Sequence, residues 1–188
     1  MRKTAKLAAG ELVLFDCAPD FHHYTSDIGR MWPVSGRFEP WQLELYGFIV
    51  RYHRALLARI RPGETVEAIL DDTAAELAEV VEETSWSRPE FEAAARGALA
   101  FRGHLSHPVG MAVHDVGSYS RQPLVEGLVF SVDPMLWVPE ESLYVRCEDT
   151  VVVTADGIEN LTTAAPLDPS AIEATMSEPG LLQAWRDR

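Results

Sequence analysis

The sequence predicts an α+β fold in which helices pack on one face of a curved antiparallel sheet. Three observations predict it. Strand-like runs are confined to residues 12–32 and 127–161, and three helix-period stretches fill about 41–103 between them. Each strand region opens with two runs joined by a short turn, which makes neighbouring strands antiparallel.

The first region pairs Leu12 to Cys17 with Tyr24 to Trp32 around a loop that contains Pro19. A register centred on Phe21 and His22 sets Asp16 directly opposite Asp27 on one face. Two opposed carboxylates repel, so a cation must sit between them or one must keep its proton. His22 and His23 fall in the loop and are expected at the surface.

A turn over Ser35 to Pro40 leads into a helix from about Trp41 to Arg61, stopped by Pro62-Gly63. Tyr46, Ile49, Val50, His53, Leu56, Leu57 and Ile60 keep the three-four spacing of a buried stripe, which makes His53 a packed helix residue. Thr65 can cap a second helix, whose stripe runs from Val66 through Ile69 and Leu70 to Val81. Its other face carries Asp71, Asp72, Glu76, Glu79, Glu82 and Glu83 and is read as solvated. Ser87-Arg88-Pro89-Glu90 has the form of a capping box that opens a third helix to Gly103.

The second region repeats the device of the first. Gly127 to Pro134 and Leu143 to Val153 are joined by Pro139 to Ser142. A register centred on Glu140 and Glu141 pairs Asp133 with Glu148, and alternation puts Arg146 on the face of Glu148. Thr154 to Gly157 is a turn that folds Ile158 to Leu161 back on Val151 to Val153. The chain divides into one domain over 1–165 and a tail over 166–188 with a short helix capped by Ser170.

At 188 residues the chain makes one domain. Its net charge of -13 argues against nucleic-acid or anionic-membrane partners. No run has membrane-spanning length, and the basic Met1 to Lys6 precedes too short an apolar stretch for a secretory leader. Cys17 and Cys147 read as reduced thiols, which places the protein in the cytoplasm.

His104, His107 and His114 fall within eleven residues. With four acids already gathered in facing pairs, this concentration predicts a metal site. Oxygen-rich sites with one imidazole suit Mn²⁺, Co²⁺, Fe²⁺ or Zn²⁺ in pairs. Two such ions balance four carboxylates.

These residues carry a resemblance. Asp16 and Asp27, the runs His104-Leu105-Ser106-His107 and Val113-His114-Asp115-Val116-Gly117, and Arg146-Cys147-Glu148-Asp149 stand in order and spacing over about Gly10 to Leu161. In this the chain resembles the pita-bread metallopeptidases, family M24, and most of all the Xaa-Pro aminopeptidase and prolidase branch. The resemblance implies a pita-bread fold with two divalent ions, Mn²⁺ foremost. It implies that Asp16 chelates one ion, that Asp27 and Glu148 bridge both, and that His107 and Asp133 complete the second. It places His114 and His104 against substrate and the tetrahedral intermediate. Arg146, on the face of Glu148 by alternation, can reach a ligand carboxylate or the substrate. The implied reaction is attack by a metal-bridging hydroxide on a short peptide.

Two departures stand out. Asp133 occupies a position where the peptidases have Glu, credited there with metal binding and proton transfer. The chain also starts fifteen residues before Asp16. The family's amino-terminal part, with an upstream substrate-site histidine, is therefore expected to be missing, and the resulting open sheet edge to be covered by an upstream extension or by a homodimer. Creatinase-type or lyase chemistry, and a non-catalytic peptide-binding module, are the alternative readings.

Overall fold

The structure, a computed structural model, describes residues 6–180 together with Leu182 and Trp185. The basic Met1 to Ala5 and most of the polar end beyond Gly180 lie outside the described residues.

The first hairpin consists of β1 (Leu12–Cys17), β2 (Asp20–Phe21), β3 (Tyr24–Thr25) and β4 (Ile28–Pro33). Its register differs from the expected one: Asp16 faces Gly29, and Phe21 faces Tyr24. The reversal falls on His22 and His23, whose φ angles of 51° and 69° are both left-handed, as a two-residue hairpin turn requires. Both histidines are exposed. The shift moves each partner by two positions. It therefore preserves the face of every side chain, and Asp27 becomes the diagonal neighbour of Asp16 on the same face.

α1 (Pro40–Leu57) starts with Pro at its first position, where the missing N–H costs nothing. The Gln42 side chain accepts from the Glu39 N–H at 2.9 Å and donates to the Gly10 carbonyl at 2.9 Å, tying the helix to the entry of β1. The helix ends four residues before the expected Arg61. Its buried arc is wider than one stripe, because Leu45, Phe48, Tyr52 and Ala55 are buried as well. α2 (Val66–Glu83) is capped by Thr65, whose hydroxyl accepts from the Ala68 N–H, and its seven acids are exposed. α3 (Pro89–Ala100) has Arg88 at its N-cap and no side-chain cap. The expected Ser87 capping box is absent, because the Ser87 N–H instead donates to Glu44 Oε1 at 2.7 Å.

The second strand region contains β5 (Val129–Val132), β6 (Met135–Val138), β7 (Leu143–Arg146), β8 (Asp149–Val153) and β9 (Ile158–Asn160). Val132 faces Asp149 and Met135 faces Arg146, which is the expected register. Strand geometry breaks on both sides at Asp133 and Glu148, so the acids stand at a bend rather than within a continuous ladder. There β4 joins the second sheet: the Glu148 N–H donates to the Gly29 carbonyl at 2.9 Å, and the Gly29 N–H donates to the Glu148 carbonyl at 3.2 Å. A Cβ on Gly29 would meet Glu148 Cβ at 3.2 Å, so glycine permits this approach.

α1 packs on β5, β6 and β7, with α2 and α3 alongside it. α4 (Pro169–Met176) has Asp168 at its N-cap position without a side-chain cap, and the expected cap Ser170 lies inside the helix. Ile172 of α4 is fully buried in the common core, and Glu173 accepts from the Phe38 N–H. Cys17 and Cys147 are both free thiols. Among the described residues no helix is long and apolar enough to cross a membrane.

Candidate metal centre

Asp16 lies on β1, Asp27 just before β4, Asp133 just after β5, and Glu148 in the bend between β7 and β8. Single ligand atoms of Asp16, Asp27 and Glu148 come within 4.8 Å of one another, and Asp27, His107 and His114 form a second such group. The histidine segment reaches the acids because it runs beside β5: the Ser131 N–H donates to the His107 carbonyl, and the Asp133 N–H to the Leu105 carbonyl. His107 Nε2 stands 3.4 Å from Asp27 Oδ2 and 3.8 Å from Glu148 Oε1. Its Nδ1 faces the Pro108 carbonyl at 3.1 Å. A carbonyl can only accept, so Nδ1 carries a proton, and Nε2 is the nitrogen turned toward the carboxylates. His114 stacks on His107 with ring centres 3.9 Å apart. Asp115 holds the turn that presents His114 by accepting from the N–H groups of Met111 and Val116, which keep its carboxyl below the ordinary range.

Arg146 supplies a cation among the acids. Its guanidinium reaches Asp16 Oδ2 at 3.2 Å, lies 2.8 Å from Asp133 Oδ1, and contacts Glu148 Oε2. One cation does not neutralise the group. Burial, reinforced by the Asp133 carboxylate, pushes Glu148 up to about 8. Burial pushes Asp133 up to about 7 despite Arg146 beside it. Asp27 is also raised, by burial and then by Asp16.

Among the described residues Asp133 Oδ1 and Glu148 Oε1 are buried without a hydrogen bond. Buried acceptors in that condition call for a cation. With four carboxylates and an imidazole, the donor set fits a pair of divalent ions. Asp133 belongs to neither close group, and its contact with the cluster runs through Arg146. His104 stands apart: it is exposed, its ring lies edge-on to Phe101, and it joins Asp133 in lining a cavity of about 560 Å³.

Sequence reasoning missed the supports behind these residues. The Thr150 hydroxyl accepts from the Asp27 N–H at 2.8 Å and donates to the Asp27 carbonyl at 2.7 Å, fixing that ligand's backbone. Arg30, 3% exposed, donates to the Glu148 carbonyl and to Asp149 Oδ1, both at 2.6 Å. Asp149 also meets His53 Nε2 at 2.8 Å and accepts from the Thr162 hydroxyl at 2.6 Å. The available signal was alternation: Asp149 follows Glu148 and points to the helix side, where His53 occupies a buried stripe.

Residues 1–155 match the family model for metallopeptidase family M24. The chain is 34% identical over 179 residues to Xaa-Pro aminopeptidase 3 of Mus musculus, an alignment covering 89% of this chain and 35% of that protein. Among solved structures it resembles proline aminopeptidase P II from Yersinia pestis, with a TM-score of 0.76 and 32% identity over 92% of this chain and 43% of that one. Zn-substituted Escherichia coli aminopeptidase P in complex with product gives a TM-score of 0.74 and 30% identity over 92% of this chain and 42% of that one. The chain thus spans well under half the length of these relatives. The aminopeptidase P likeness bears out the expected pita-bread fold, and with it the chain belongs to metallopeptidase family M24.

Proposed function

We propose that this chain carries the catalytic centre of a dinuclear, metal-dependent peptidase of the Xaa-Pro aminopeptidase or dipeptidase type, acting on short peptides in the cytoplasm. The observation that carries this reading is the convergence of Asp16, Asp27 and Glu148 within 4.8 Å, with a buried Glu148 oxygen that has no hydrogen-bond partner among the described residues. Asp16, Asp27, Glu148, His107 and Asp133 would hold the ions, of which Mn²⁺ best suits this oxygen-rich set. A bound pair of divalent ions supplies a nucleophilic water near neutral pH and polarises the peptide carbonyl.

The remaining work falls to the chain's own groups. Asp133 takes the proton of the attacking water and returns it to the leaving amine. His114, stacked on His107 beside the acids, donates to the oxygen on which negative charge develops. Arg146 orients Glu148 and Asp16, and His104 touches substrate at the mouth of the cavity beside Asp133.

The test is Mn²⁺ loading followed by assay on Xaa-Pro peptides. About two ions per chain are expected, with hydrolysis that a chelator abolishes. His107→Ala should bind about one ion while keeping the fold, because Asp16, Asp27 and Glu148 remain. Negligible metal uptake by the folded wild-type protein would sink the reading.

A further inference from the structure

The cavity beside Asp133 is built from apolar surface that the metal centre does not use. Leu56 of α1 and Leu70 of α2 form part of its lining, Gly97 and Phe101 line it from α3 and the residue following it, and Met135 and Trp137 line it from β6. Its volume of about 560 Å³ lies within the range of small-ligand sites. The space exists partly because the cavity flank of α3 carries Ala93, Ala94 and Gly97, and a Cβ added at Gly97 would meet nothing within 4 Å. Its charged lining, apart from His104, is acidic: Asp133, Glu90 and Glu140.

We propose that this cavity receives the side chain of the substrate's amino-terminal residue and selects a bulky apolar one over a small or acidic one. The inference rests on the peptidase reading and deepens it. Asp133 is a wall shared by the cavity and the metal centre, so a peptide whose scissile carbonyl lies at the acids places a neighbouring side chain at the cavity mouth. The apolar lining rewards burial of a large side chain. The carboxylates oppose an anionic side chain and attract the substrate's ammonium group. A bulky apolar side chain fills more of this volume than a proline ring does, which assigns the cavity to the variable residue before it.

The test compares Phe-Pro-Ala, Gly-Pro-Ala and Glu-Pro-Ala on the Mn²⁺-loaded full chain, with calorimetric titration by L-phenylalaninamide and glycinamide. Wild type should prefer the Phe peptide over the Gly peptide by roughly tenfold or more in kcat/KM, with the Glu peptide slowest. It should bind phenylalaninamide more tightly than glycinamide. Gly97→Leu, which fills the cavity from α3, should collapse both preferences at unchanged metal content. Ala93→Leu, one helical turn earlier, serves as a second variant should Gly97→Leu fail to fold. Preferences that survive in a folded, metal-loaded filling variant overturn the cavity assignment. If no peptide is cleaved but phenylalaninamide still binds in a manner sensitive to Gly97→Leu, the peptidase reading fails while the cavity keeps its ligand. If phenylalaninamide does not bind wild type and the peptides are cleaved at equal rates, the cavity assignment fails alone.

Discussion

Arg146 Nε lies 2.8 Å from Asp133 Oδ1 without being aligned to donate to it, so each leaves a buried polar atom unsatisfied among the described residues. The guanidinium is held there by charge. Burial alone would favour its neutral form, and the carboxylates of Asp133 and Glu148 override that, raising its pKa. Arg146 thus acts as an internal counter-ion for a group of acids that outnumber it.

Arg146→Gln removes that counter-ion. In metal-free protein the variant should lose about 3 kcal/mol of stability, the scale for stranding a buried charge. Divalent ions bound to the acids replace the lost charge, so metal should raise the melting temperature of the variant more than that of wild type. Thermal unfolding with and without Mn²⁺ checks this. Equal metal-induced shifts would show that the guanidinium and the ions do not share the acids.

Asp133 at about 7 and Glu148 at about 8 hold protons that an unfolded chain has released. In metal-free protein the folded state therefore binds more protons than the unfolded one between about pH 4 and 8. Stability from this pair is full below that window and declines as pH rises through it. Asp149, held below its ordinary value, has the opposite sign, and its contribution disappears as pH falls below about 4. Urea midpoints of chelator-treated protein should decline from pH 5 to pH 8. Metal must displace the same protons, so Mn²⁺ binding near pH 7 should release roughly one to two protons per chain, measurable in buffers of different ionisation heat.

Asp133→Glu lengthens the one proposed ligand that belongs to neither close group. Because Asp133 also borders the cavity, the added methylene has space to enter. The expected result is tighter binding of the second ion and faster hydrolysis of Xaa-Pro peptides. Lower activity at full metal occupancy would show a centre tuned to the shorter side chain.

The sequence made the centre legible wherever side-chain parity was enough. Asp16 and Asp27 stay on one face although their register differs by two positions, and the pairs on either side of Asp133 and Glu148 keep the expected register. It could not show that Arg146 reaches Asp16, 130 residues away, because that contact depends on how the two hairpins bend toward each other. His53 and Asp149, 96 residues apart, meet only once α1 lies on the sheet. The cavity was equally hidden, since small residues on α3 make a space only against the particular edge formed by β6.

The network behind Glu148 supports the last prediction. The Asp149 carboxylate accepts from Arg30 and Thr162 and meets His53, and these partners hold its pKa well below the ordinary value although burial alone would raise it. Arg30 spans two jobs, since another of its nitrogens donates to the Glu148 carbonyl. Asp149→Asn keeps the shape but removes the charge, leaving Arg30 buried beside a neutral amide. The loss should be about 3 kcal/mol or more of folding stability. If the network also aims Glu148, metal affinity should fall roughly tenfold to a hundredfold, as for other groups that orient a ligand from behind. The two effects are separable by measuring Mn²⁺ affinity well below the variant's melting temperature, where the protein remains folded. Reduced stability with wild-type affinity would make Arg30, His53 and Asp149 a structural anchor alone, whereas loss of both would make them positioning residues for the metal centre.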